Sequence, residues 1–343
     1  MQLDIFAQAP ETRPRLNIRK PEPTRKAFLQ EAMATAHEAH VASAPPVERV
    51  RSIRFPSRPH DAAFELAEAV TAAWYKAGGN HRFDIAIGAV AGVALWPLKG
   101  RQVAPLVADW WLGLDETDAL TALEECFARW WIARPDLIEC ARPLHEWLTD
   151  DDTRTKFAVP VRAVIRAAVD AGLLDLLGED DPDFRSATDV LGFLLTGFRS
   201  TGQRDALAEF HTPPEVAELM ARFMFDGREV QLGQAFDDPC AGTGGMHRAL
   251  AQTLRERSLN PEDFIWSMTD IDPLAAACCA LNAILWELGP NVLVWCGDTL
   301  AEGDGPQRAA KKRIEVIEHR DQQIRLAKMM AAMRSLLRDP AAA

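Results

Sequence analysis

Between residues 231 and 298 the chain alternates short apolar runs with helical ones, and this alternation constrains its fold more than any other feature. "QLGQAFDDP" (231–239), "DFIWSMTDID" (263–272) and "NVLVWCGD" (291–298) read as strands. "GGMHRALAQTLRERS" and "PLAAACCALNAILWEL" (273–288), which separate them, read as helices. Strands joined through helices close as right-handed parallel crossovers, so a doubly wound α/β unit is expected. Each strand also ends in an acid: Asp238, Asp270 and Asp298. In an open parallel sheet a ligand lies across the carboxyl ends of the strands, which aims three carboxylates at one crevice.

The loop after the first strand, "DDPCAGTGGM", narrows the ligand. It lacks the Gly-Lys-Ser/Thr ending of a nucleotide triphosphate loop and the third glycine of the dinucleotide fingerprint. Gly242, Gly244 and Gly245 let the backbone approach a ligand where a β-carbon would clash. Asp238 suits a cationic amine. An acid ending the second strand accepts both protons of a ribose diol, and one ending the third accepts from an exocyclic amino group. Amine, diol and adenine amino group together describe S-adenosylmethionine.

Upstream the period is helical. Residues 59–200 are expected to form an all-α domain, with "DAAFELAEAVTAAWYKAGG", "ETDALTALEECFARWWIA" and "VPVRAVIRAAVDAGLLDLLG" as helices. Seven of the ten tryptophans fall there and are read as core in preference to base-stacking platforms. The longest apolar run, "FDIAIGAVAGVALWPL" (83–98), is short for a membrane span and reads as a buried helix. Residues 1–58, rich in Pro and Arg, read as a flexible basic arm. Residues 201–304 form the cofactor domain, and 305–343 are a C-terminal amphipathic helix. Its stripe of Ile314, Ile317, Ile324, Leu326, Met330, Met333 and Leu337 is expected to cover a bare sheet edge, with part of the helix projecting to a partner.

The charge of −12 divides unevenly: +4 over residues 1–60, +5 over 308–339, and −21 over the remainder. Such a body does not grip a phosphate backbone over a broad face, so nucleic-acid contact is expected through the basic ends or partner subunits. The six cysteines form no C-x-x-C pair, which argues for reduced thiols, a cytoplasmic location and no metal site.

The run "DVLGFLLTGFRSTGQRDALAEFHTPPEVAELM", followed by "DDPCAGTGGM", "DIDPLAAACCALN" and "GDTL", resembles N6-adenine DNA methyltransferases. The likeness is closest to the modification subunit of type I restriction–modification systems. It is strong over about 189–300 and implies a partial, Rossmann-like methyltransferase fold behind the helical domain. It also implies a cofactor site. Phe210, Thr212 and Pro213 would touch the cofactor from the segment before the sheet. Asp238, Gly242, Thr243 and Gly244 would line its methionine end, Asp270 with Ile271 would take the ribose, and Asp298 the adenine. His211 stands where that family carries tyrosine, and Cys240 and Ala241 are in swapped order.

The family's Asn-Pro-Pro-aromatic loop, which holds the flipped base, has no counterpart. The only Asn-Pro is Asn260–Pro261, followed by two acids. The expectation is therefore a truncated or split methyltransferase with no catalytic residues of its own, completed by a second chain. A non-catalytic binding or scaffold subunit is the alternative, and a methyltransferase for a non-DNA acceptor ranks last.

Overall fold

The computed structural model describes residues 54–199, 212–227 and 229–338; the arm over 1–53 and Phe210 lie outside them. Among the described residues nine α-helices precede the break after 199. Helix α1 (Pro59–Lys76) opens on a proline and buries Ala63, Leu66, Ala67, Val70 and Trp74, the one-face spacing of an amphipathic helix. Helix α2 (Phe83–Ala94) is buried at every residue from Ile85 to Ala94. The long apolar run is thus the central helix of the layer, and it stops at Leu95, before Pro97.

Around it lie α3 (Ala104–Gly113), α4 (Glu116–Ala133, capped by Asp115), α5 (Pro135–Cys140) and α6 (Asp151–Asp170). Three shorter helices follow: α7 (Leu173–Leu177), α8 (Pro182–Arg185) and α9 (Val190–Phe198). Trp74, Trp111 and Trp147 are buried, and Trp96, Trp110, Trp130 and Trp131 pack against the same core. The tryptophans are structural, as their spacing suggested.

Helix α10 (Pro214–Met224) leads into the α/β unit: β1 (Ala235–Asp238), α11 (Gly245–Glu256), β2 (Ile265–Asp270), α12 (Pro273–Leu285) and β3 (Val292–Cys296). A short α13 (Thr299–Glu302) and the long α14 (Gly305–Arg338) close the described chain. The strands are parallel in the order β1-β2-β3, with Phe236 opposite Trp266 and Trp266 opposite Val292. Helix α12 is buried from Ala275 to Leu285, wedged between the sheet and α5 and α9, so one hydrophobic core runs from the helical layer into the sheet.

Two expectations are corrected. Among the described residues the strand order does not reverse, so the sheet is wound in one direction only and has no switch-point crevice. No described strand lies beyond β1. Ile265 N–H donates to the Gln234 carbonyl, so the register turns the backbone groups of Ala235 and Asp237 to the open side. Nor does the C-terminal helix cover that edge. The first half of α14 packs instead on β3 and α5 at the opposite side of the sheet. Arg313 pairs with Asp136 and donates to the Pro290 carbonyl, and buried Arg320 donates to the Ile132 carbonyl. These polar anchors, which apolar periodicity does not report, decide where the helix lies.

Candidate cofactor site

Strand β1 delivers Asp238 to the start of the glycine loop, where its Oδ1 accepts the Cys240 N–H at 3.0 Å. The chain then turns through Gly242 at φ +56° and Gly244 at φ +95°, left-handed backbone that disfavours any side chain. A β-carbon on Gly242 would meet nothing within 4 Å, so the loop is open there. One on Gly244 would lie 3.2 Å from Cys279 Sγ and from the Trp286 ring, so that glycine is needed for packing. Helix α11 starts directly after it with no side-chain cap.

Two side chains hold the loop, half-buried Asp189 and buried Asn282. Asp189, at the N-cap of α9, accepts from Gly192 N–H at 2.8 Å, Asn282 Nδ2 at 2.8 Å and Thr243 Oγ1 at 2.5 Å. Burial pushes its carboxyl above the usual carboxylate range, and the three donors pull it back. Asn282, on α12, also donates to the Thr243 carbonyl at 2.9 Å. The loop is thereby tied to both the helical layer and the helix under the sheet.

A cavity of about 940 Å³ opens in front of the loop. Thr212, Pro213, Asp238, Gly242 and Thr243 all line it. The helical layer supplies the opposite wall through Phe64, Glu68 and Thr71 of α1 and Phe193 and Thr196 of α9. Arg199 and Arg248 also reach it, but Arg199 pairs with Asp272 at 2.6 Å and Arg248 with Glu218 at 2.9 Å. With both arginines compensated, Asp189, Asp238 and Glu68 give the cavity a negative bias, while the uncapped start of α11 offers N–H groups at Gly245 and Met246. This arrangement suits a ligand with a cationic centre and a carboxylate.

The remaining expected residues stand apart from the lining. Gly244 is packed behind the loop. Asp270 lies beneath it, its Oδ2 accepting from Gly242 N–H at 2.7 Å and its Oδ1 from Asp272 N–H at 2.9 Å. Ile271 is 65% exposed. Asp298 caps α13, its Oδ1 accepting from the N–H groups of Leu300 and Ala301, and Thr299 Oγ1 donates to the Pro239 carbonyl at 2.7 Å. Sequence reading missed Asp189 as a loop holder and Asn282, although an amide inside the apolar run "AAACCALNAIL" is a signal, because a buried amide needs partners. The α1 wall had no local signal, since it meets the loop only through tertiary packing.

A helical layer joined to a parallel α/β unit, with an acid ending the first strand and a glycine loop after it, places the chain in the α/β class. Residues 186–318 match the family model described as N-6 DNA Methylase, which bears out the resemblance drawn from the motifs. No curated protein matches the chain. Among solved structures, it is similar to the crystal structure of the methyltransferase subunit of a type I restriction–modification system from Streptococcus thermophilus. The identity is 17% and the TM-score 0.35, over 80% of this chain and 59% of that one. No helix among the described residues is long and apolar enough to cross a membrane, and none of them form a cluster that could hold a metal.

Proposed function

We propose that this chain binds S-adenosylmethionine as part of an adenine-N6 DNA methyltransferase with a Rossmann-like cofactor unit, and that it acts on DNA together with partner subunits in the cytoplasm. The supporting observation is the cavity that unites Thr212, Pro213, Asp238, Gly242 and Thr243, residues chosen from sequence alone. Its volume is at the upper end of small-molecule sites, enough for the cofactor and more. In this reading Asp238 faces the cofactor's ammonium group, and the first turn of α11 takes its carboxylate. Asp270 holds Gly242 in place from below, and Ile271 and Asp298 lie toward the nucleoside end. The bound cofactor would supply a methyl group on a sulfonium, and the negative bias from Asp189, Asp238 and Glu68 favours that cation.

Transfer to adenine also needs an amide to accept the amino protons and a ring on which the flipped base stacks. Among the described residues Asn282 is committed to Asp189 and to the Thr243 carbonyl, so it does not serve. We assign that part of the chemistry to residues other than the described ones. A non-catalytic cofactor-binding or scaffold subunit remains the second reading, favoured by the same observation.

Calorimetric titration with S-adenosylmethionine tests the first step. Asp238→Ala should weaken binding about tenfold or more, as expected for losing a charge-assisted contact of roughly 1.5–3 kcal/mol. Cys240 is exposed and lines the cavity, so bound cofactor should slow its alkylation. Absence of both heat and protection would sink the reading. Labelled cofactor with DNA tests the second step: these 343 residues alone should transfer no methyl group, and incorporation above background would overturn that assignment.

A further inference from the structure

Two helices carry apolar stripes that are exposed among the described residues. On α10 the exposed residues are Val216, Leu219, Met220, Phe223 and Met224, with Phe223 65% exposed. Their spacing of i, i+3, i+4, i+7 and i+8 makes one continuous face. The second half of α14 exposes Leu326, Met329, Met330 and Met333, the same i, i+3, i+4, i+7 pattern, with Met333 57% exposed. Each stripe runs about 10–12 Å along its helix at 1.5 Å per residue, so the two match in length.

They also differ in charge. Beyond Arg320, α14 carries Arg325, Lys328, Arg334 and Arg338 against the single acid Asp321. Exposed acids accompany the α10 stripe: Glu215 on the helix, Asp226 and Glu229 just after it, and Asp237 on β1, whose neighbour Phe236 stacks edge-on against Phe225. Of the nearby exposed bases among the described residues, Arg222 is paired with Glu256 and Arg257 lies over the Phe225 ring, while Arg228, between Asp226 and Glu229 in sequence, lies outside them. Within one chain the stripes stay apart. The first half of α14 is pinned beside β3 by Arg313 and Arg320, whereas α10 packs on α11 and against β1.

We propose that the second half of α14 of one copy docks on α10 of a second copy, burying the methionine stripe against Val216, Leu219 and Phe223 with the basic residues facing Glu215 and Asp226. Methionines adapt to an irregular partner surface. Pairing α14 with its own copy would instead set two basic helices side by side. Met220 of the α10 stripe also lines the cavity, whereas Val216, Leu219 and Phe223, which carry the proposed contact, do not.

Analytical ultracentrifugation of the full chain over about 1–100 μM tests the contact. We expect concentration-dependent self-association. Phe223→Glu and Met330→Glu, both at exposed positions, should each weaken it at least tenfold with circular dichroism unchanged. Arg325→Glu with Lys328→Glu should weaken it too, and adding Glu215→Lys with Asp226→Lys should restore it. A protein that stays monomeric throughout overturns the proposal. So does association that survives Phe223→Glu but fails with Met330→Glu, which would signify α14–α14 pairing. Charge reversal without rescue overturns it as well.

Discussion

Replacing Asp189 tests whether the glycine loop is held from behind. The carboxylate of this half-buried residue caps α9 through Gly192 N–H, and accepts from Asn282 Nδ2 and Thr243 Oγ1. In Asp189→Ala all three donors lose this acceptor. Asn282 keeps the Thr243 carbonyl at 2.9 Å, and the threonine hydroxyl can rotate, so only part of the cost is felt at those two. A lost N-cap costs about 1 kcal/mol and a buried donor left unpaired about 1–3 kcal/mol, so the total should be about 2–4 kcal/mol. Asp189→Asn keeps one oxygen for Gly192 and Asn282 and turns an amide toward the rotatable Thr243 hydroxyl; it should cost about 1 kcal/mol.

The two variants also separate by pH. Burial raises the folded pKa of this acid, so above the ordinary carboxylate range the folded state binds more protons than the unfolded one. Stability from this group therefore falls as pH rises toward the folded pKa, and Asp189→Asn should remove that part of the slope. Urea unfolding from pH 4 to 7 reads both effects. If Asp189→Ala unfolds at the wild-type midpoint, or Asp189→Asn keeps the wild-type slope, the hydrogen bonds drawn here do not hold the loop.

Gly244→Ala should lower stability by about 1–3 kcal/mol, because the residue sits at φ +95° with Cys279 and Trp286 against the new methyl group; calorimetric melting measures it. Gly242→Ala, at φ +56° with open space in front, should cost only about 1 kcal/mol but should weaken cofactor binding in titration. Lys99 is buried among the carbonyls of Ala94 and Leu177, and burial lowers its pKa to about 7. The unfolded chain then binds more protons above pH 7, so stability should rise between pH 7 and 9 by up to about 2–3 kcal/mol, and Lys99→Met should flatten that rise in denaturant titrations. Above that window the thiols of buried Cys126 and half-buried Cys140, pushed up to about 12, act in the opposite sense. Deleting 322–343 should leave a folded chain by circular dichroism, since the anchors Arg313 and Arg320, with its partner Asp321, precede the cut. Deleting 305–343 also removes Val316, Arg320 and Arg313, one of the two arginine partners of buried Asp136, and should give aggregation in light scattering.

Local chemistry explains what the sequence made legible. The strands ending in Asp238, Asp270 and Asp298, the glycine turn, and helices α11, α12 and α14 follow from patterns a few residues long, and the structure reproduces them within a few positions. The roles of the three aspartates were less legible, because a carboxylate at a strand end has two uses that one sequence cannot separate. Asp270 and Asp298 accept backbone N–H groups from loops and helix starts, which builds the floor of the site, whereas Asp238 also lines the cavity. A capped carboxylate retains lone pairs for a diol or an amino group, so capping and binding do not exclude each other.

The far wall of the cavity was invisible for a different reason. Phe64 and Glu68 lie more than 170 residues from the loop they face, and in sequence they belong to the outer side of an amphipathic helix. What brings α1 to the loop is a chain of side chains spanning the break in the described residues. His60 bonds to Thr188 Oγ1 at 2.9 Å and approaches Glu218 at 3.4 Å, and Glu218 pairs with Arg248 of α11. Arg248 in turn donates to the carbonyls of Ser186 and Ala187, just before the Asp189 cap. The same arginine therefore joins α11 to the helical layer and reaches the cavity wall. A ligand seated there would meet two faces that one buried cation holds together, and loosening either face should loosen its grip on the other.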